Sequence, residues 1–159
     1  MQDAVESIAY RDSFGDFNQL VEQVLGTQSN DDFKGFEEKH ARLIYRTCLT
    51  TQGVQRLYLL KSEYESSGGR KPDIALLDIR GGDTRVRYNY LIELKYLNAD
   101  ATASRIKSKR KEAYDQMQEY LALGEFEHDT RLKGMICVVV KDKIKCFEEV
   151  PRPLVQDAK

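Results

Sequence analysis

The stretch from Arg87 to Leu97, Arg-Tyr-Asn-Tyr-Leu-Ile-Glu-Leu-Lys-Tyr-Leu, constrains the fold more than any other part of the chain. Its composition favours a strand, and side chains alternate between the two faces of a strand. Tyr90, Ile92, Leu94 and Tyr96 therefore share one face, and Asn89, Leu91, Glu93, Lys95 and Leu97 share the other. Glu93 and Lys95 are neighbours on a strand that is otherwise strongly apolar. An acid and an amine placed there cost free energy unless they are paired or bind something between them.

The surrounding segments supply the rest of a mixed sheet. Phe14, Phe17, Leu20, Val21, Val24 and Leu25 have helical spacing, with Gly26 as a stop. A second helix is expected from Asn30 or Asp31 to about Thr50, with Phe33, Phe36, His40, Leu43, Ile44 and Thr47 as its inner stripe. A strand follows over Arg56 to Glu65, then a Ser-Ser-Gly-Gly turn, a second strand over Asp73 to Asp78, and a hairpin tip at Arg80-Gly81-Gly82-Asp83. After the Arg87–Leu97 strand, a long amphipathic helix is expected over Thr102 to Leu123, with Ile106, Arg110, Ala113, Met117, Tyr120 and Leu121 at helical spacing. Strands over Gly134–Val140 and Lys143–Phe147 complete the set. The predicted order is ααβββαββ, an α/β domain with a mixed central sheet flanked by helices. A length of 159 residues suits one domain over residues 1–159, with its core at about 14–148 and an extended tail at 149–159.

Charge and cysteine content narrow the function classes. Lys and Arg number 25 against 26 Asp and Glu, a formal net charge of -1. This argues against adhesion to nucleic acid by bulk charge and leaves room for a local basic face. The three cysteines, Cys48, Cys137 and Cys146, form no Cys-x-x-Cys pair, so neither a zinc site nor a disulfide framework is indicated. No apolar run reaches membrane-spanning length and no signal peptide opens the chain, so a cytoplasmic protein is expected.

If the strands starting near Asp73 and ending near Leu97 pair as a hairpin, Asp73 comes to the Glu93–Lys95 end. Two carboxylates and a lysine so arranged suit divalent-metal hydrolysis, with hard oxygen ligands from Asp73 and Glu93 for Mg²⁺ or Mn²⁺. Lys95 would orient the attacking water or stabilise the transition state. A surface hairpin with a cross-strand salt bridge is the plainer alternative.

Pro72-Asp73, followed about twenty residues on by Glu93-Leu94-Lys95, resembles the defining motif of the PD-(D/E)xK nuclease superfamily. Several further pieces are similar to the nuclease-like domain found C-terminal to AAA-type ATPase domains in bacterial proteins. They are Ser62-Glu63-Tyr64-Glu65, Gly69-Arg70, Asp73-Ile74, Ile92-Glu93-Leu94-Lys95 and Ala113-x-x-Gln116. Gln116 and Tyr120, one helical turn apart, resemble the Gln-x-x-x-Tyr pair of the RecB-like branch. One departure is Lys71-Pro72, where that subfamily has a single residue between Gly-Arg and Asp.

The resemblance implies a restriction-endonuclease-like core and a Mg²⁺-dependent (or Mn²⁺-dependent) nuclease acting on nucleic acid, DNA in preference to RNA. Asp73 and Glu93 would be metal ligands, assisted by the main-chain carbonyl of Leu94, with Lys95 as the catalytic amine. An acid from the upstream helix is expected as well, Glu37 ahead of Glu38. Gln116, Tyr120, Arg70 and the basic helix start with Arg105 and Lys109 would meet the substrate. An ATPase domain or partner is also implied, although the chain has no phosphate-binding Gly-x-x-x-x-Gly-Lys-Ser/Thr. The alternative is a catalytically inactive binding or regulatory module serving a partner ATPase.

Overall fold

A computed structural model describes residues 3–62, 71–79, 85–126 and 128–153. Among these residues, four helices and five strands follow one another as α1 (Ala4–Arg11), α2 (Gly15–Gly26), α3 (Glu38–Thr51), β1 (Tyr58–Ser62), β2 (Ile74–Asp78), β3 (Asn89–Leu97), α4 (Ala103–Leu121), β4 (Leu132–Val140) and β5 (Lys143–Val150), with a 3-10 turn at Val54–Arg56. The strands form one sheet in the order β1-β2-β3-β4-β5. Only β3 and β4 run parallel, and α4 is the crossover between them. The expected α/β class and mixed sheet are present.

The apolar alternation of β3 divides the core in two. Tyr90, Ile92, Leu94 and Tyr96 pack with Ile8, Phe17, Tyr45 and Leu49 of α1, α2 and α3. Leu91 packs on the other face with Ala113, Met117 and Tyr120 of α4 and Ile136 of β4. The approach of α4 to β4 depends on Gly134, where an added Cβ would lie 2.6 Å from the Met117 side chain.

Three expectations need correction. A first helix, α1, was not anticipated, and it brings Val5, Ile8 and Ala9 into the core ahead of residue 14. Asp3 caps it, its carboxylate accepting the Val5 N–H at 2.8 Å. The helix expected from Asn30 begins only at Glu38, because the segment before it turns through Gly35 at φ 70°. Its buried face is Ala41, Tyr45, Cys48 and Leu49, while Leu43 is 51% exposed and Thr47 is exposed. Arg110 leaves the expected inner stripe of α4 and pairs with Glu148 on β5 at 2.5 Å.

Beyond β5, the Arg152 guanidinium donates to the Phe126, Asp129 and Leu132 carbonyls, which anchors the start of the tail. The expected hairpin tip at residues 80–83 lies outside the described residues. Among the described residues, no helix is long and apolar enough to cross a membrane.

Candidate active site

The site lies where two antiparallel strands part company. β2 pairs with β3 through Ile74 opposite Ile92, and one further step sets Asp73 opposite Glu93. Past that point β3 runs on to Leu97 without β2. Backbone donors on that edge then need other acceptors. The Leu94 N–H donates to Asp73 Oδ2 at 2.8 Å, and the carboxylate of Glu38 lies towards the Tyr96 N–H. Two side-chain acids thus take over where strand pairing stops. A residue in a strand sends its N–H and C=O to the same edge, so the Leu94 carbonyl faces this place too.

Asp73, Glu93 and Lys95 are three charged residues in the interior, exposed by 6%, 4% and 5% respectively. The Lys95 ammonium stands 3.2 Å from Glu93 Oε1, 3.7 Å from Glu112 and 3.8 Å from Glu38. Burial alone would lower the Lys95 pKa, but the three surrounding carboxylates outweigh it and hold the amine above its ordinary value. Lys95 is therefore a fixed cation. Asp73 has its own partner in Arg42, whose Nη1 lies 3.0 Å from Oδ1.

Glu93 carries the electrostatic cost of the cluster. Burial, reinforced by the Asp73 charge and only partly offset by Lys95, raises its pKa to about 7. Its Oε2 is buried and has no hydrogen-bond partner among the described residues. Burial also raises the Glu38 carboxyl, with Lys95 opposing.

One row of α4 borders the cluster. Glu112, Gln116 and Tyr120 follow at intervals of four residues and so share a face. Glu112 meets Lys95, and the Tyr120 hydroxyl donates to the Lys71 carbonyl at 3.1 Å, two residues before Asp73. Between them Gln116 holds a buried Oε1 with no hydrogen-bond partner among the described residues.

The structure brings Asp73, Glu93 and Lys95 together, with Gln116 and Tyr120 beside them. The two upstream acids separate. Glu38 reaches Lys95, whereas Glu37 is the exposed N-cap of α3 and pairs with Lys39 at 3.4 Å. His40 caps the same helix end, its Nδ1 accepting the Glu37 N–H at 2.9 Å. Of the basic helix start, Arg105 is exposed, Lys109 pairs with Glu112 at 3.0 Å and Lys111 with Asp115 at 2.6 Å. Arg70 lies outside the described residues.

Sequence reasoning missed Arg42 and the contact of Glu112 with Lys95. Their signal was spacing: Arg42 is one turn after Glu38, and Glu112 one turn before Gln116.

The donor set fits a hard divalent cation. Two buried carboxylates and a backbone carbonyl meet at one edge, one carboxylate oxygen lacks a partner, and Glu93 gains from any added positive charge. Among the described residues, no three His, Cys, Asp or Glu side chains gather as a ligand cluster by themselves. An ion held by this set would be one that keeps several waters and uses one or two carboxylates.

A mixed five-stranded sheet with helices on both faces, and buried acids and an amine where two of its strands diverge, is a restriction-endonuclease-like core. Residues 36–149 match the PD-(D/E)XK nuclease superfamily, and the chain belongs to that superfamily. No curated protein and no solved structure matches it.

Proposed function

We propose that the protein is a nuclease that hydrolyses phosphodiester bonds of DNA with a bound Mg²⁺ or Mn²⁺. The observation that supports this most is Lys95, a charged amine buried against Glu93 with Glu38 and Glu112 around it, next to a second buried acid, Asp73. A merely structural salt bridge at a hairpin surface has no need of this burial, which is costly.

In this reading Asp73, Glu93 and the Leu94 carbonyl hold the metal. When bound, the ion supplies a lowered pKa for its water and offsets charge on the phosphoryl oxygen. Lys95, kept cationic by its three acidic neighbours, donates to the attacking water and stabilises charge that develops on the phosphate. Glu38, rather than Glu37, holds the Lys95 ammonium in position. The buried Gln116 Oε1 and the Tyr120 tether to Lys71 keep the approach to Asp73 in shape. Arg70, Arg105 and Lys109 contact the phosphate backbone of the strand.

The membership of a nuclease superfamily supports this reading, as does the reciprocal fit of donors to a hard cation. The test is cleavage of linear, circular, single-stranded and double-stranded substrates with Mn²⁺, beside Lys95→Ala. Wild-type cleavage with a loss of about a hundredfold or more in the variant is the expected result. Cleavage indifferent to the substitution overturns the mechanism. No cleavage of any substrate would favour a regulatory module of a partner ATPase.

A further inference from the structure

A cleft of about 510 Å³ opens between the loop that precedes α3, the end of β3 and the turn after β4. Phe33, Phe36 and Tyr96 give it an aromatic wall, and Asn30, Asn98, Glu37 and Lys141 give it polar groups. It lies close to the site along the chain, with Tyr96 next to Lys95 in β3 and Glu37 next to Glu38, although the Tyr96 ring is on the opposite face of the strand from Lys95. Its volume falls in the range of pockets that take small planar ligands.

The cleft is built before anything enters it. The Asp32 carboxylate accepts from the Ser29 N–H at 2.7 Å and from the Ser29 hydroxyl at 2.8 Å, while the Asp32 N–H donates to Ser29 Oγ at 3.1 Å. Gly35 then turns the chain at φ 70°, a conformation that suits glycine. This loop carries Phe33, whose ring lies 5.3 Å from that of Phe36, which in turn lies 4.7 Å from Tyr96. Both phenylalanines are only half-buried.

Lys141 is the second, independent observation. It is the first residue of the two-residue turn between Val140 and Lys143, and it sits at φ 54°, where glycine is the ordinary choice. What the side chain does from that strained position is reach the cleft. Its ammonium lies 5.5 Å from the Phe33 ring centroid and donates to Asn30 Oδ1 at 3.1 Å.

We infer that this cleft is a nucleobase subsite, which stacks one unpaired base of the substrate strand on Phe33, whose ring plane is inclined at 53° to that of Phe36 behind it, near the phosphate to be cut. The inference rests on the nuclease reading and sharpens it: the substrate is single-stranded nucleic acid, or the unpaired end of a duplex. Bases inside a duplex have both faces covered by their neighbours and are closed to such stacking. Lys141 contributes charge for the adjoining phosphate, and Asn30, Asn98 and Glu37 offer donors and acceptors to the base edge.

The test is equilibrium binding of a short fluorescein-labelled single-stranded oligodeoxynucleotide, read by anisotropy with Ca²⁺ in place of Mg²⁺. The same strand is used with one abasic nucleotide moved along it, and as a blunt duplex. The wild type is expected to prefer the single strand and to lose about tenfold in affinity at one abasic position. Phe33→Leu, which keeps an apolar side chain without a ring face, should show the same loss on the intact strand and no further loss at that abasic position. Phe33→Trp should restore binding. Lys141→Gly relaxes the turn, so its melting temperature is expected to hold or rise while single-strand affinity falls.

Equal affinity for duplex and single strand, with no abasic position that matters, overturns the subsite while leaving the nuclease reading intact. A strand bound by the wild type with the same affinity in Phe33→Leu and Lys141→Gly overturns it as well. Failure to bind any nucleic acid overturns the subsite and the nuclease reading together.

Discussion

Asp73 accepts the main-chain N–H of Leu94 through Oδ2, at 2.8 Å, and Arg42 through Oδ1, at 3.0 Å. The first bond locks the aspartate to the backbone between Glu93 and Lys95, so the relative placement of the two acids is set by the sheet and not by flexible side chains. Asp73→Ala leaves the Leu94 donor and the Arg42 cation without this acceptor. Urea denaturation should show a loss of about 2–3 kcal/mol, the range for a broken, largely buried charged hydrogen bond. A change within error would mean that the pair contributes nothing to the fold.

The raised pKa of Glu93 fixes the pH dependence of metal-free stability. Its folded pKa is about 7 against an ordinary value of 4.5, so between these values the folded protein binds more protons than the unfolded chain. Stability contributed by the neutral form is present below the lower value and lost as pH rises through the upper one. Glu93→Gln removes this dependence and should be more stable than wild type at pH 8, by on the order of 2–3 kcal/mol, with the difference vanishing near pH 4. Denaturation curves for both proteins across that range check it; a difference that is flat with pH refutes the assignment.

Glu37 and Glu38 should respond oppositely to the same chemical change. Glu38→Gln weakens the hold on Lys95 and is expected to lower kcat about tenfold or more with little change in melting temperature. Glu37→Gln alters an exposed helix end that lines the neighbouring cleft and pairs with Lys39, so any loss should fall on KM and not on kcat. Cleavage rates for the pair decide the matter, and the reverse ranking would return the role to Glu37.

Tyr120→Phe removes the hydroxyl that donates to the Lys71 carbonyl at 3.1 Å and keeps the ring in the α4 core. About 1 kcal/mol of stability should be lost. Because the link steadies the approach to Asp73, metal affinity is expected to weaken several-fold as well, measured by titration with Mn²⁺. A stability loss with unchanged affinity would show that the tyrosine serves packing alone.

The alternation in β3 made the central strand and its buried acid and amine legible, since a period of two is unambiguous in a run this apolar. The position of Asp73 followed once a hairpin was assumed, because antiparallel register ties the two strands together. The helices were less readable. α1 is only eight residues long, too short for its period to stand out, although Asp3 with Glu6 three residues on is a start signal. Starting α3 near Asn30 put its inner stripe on Phe36, Leu43 and Thr47, out of phase with the buried Ala41, Tyr45 and Leu49. Neighbouring residues on a helix point about 100° apart, so Glu37 and Glu38 cannot face the same place. The segment ahead of the helix turns through Ser29, Asp32 and Gly35, a local arrangement that no hydrophobic period reports.

Calorimetric titration of Mn²⁺ into the wild type and into Glu93→Gln tests the central claim most directly. The variant retains the shape of Glu93 and should be the more stable of the two above pH 7, so lost binding cannot be ascribed to unfolding. A saturable site in the wild type, abolished or weakened by at least about a hundredfold in the variant, is the expected result. Equal binding isotherms for the two proteins, or none in the wild type, would contradict a metal held between Asp73 and Glu93.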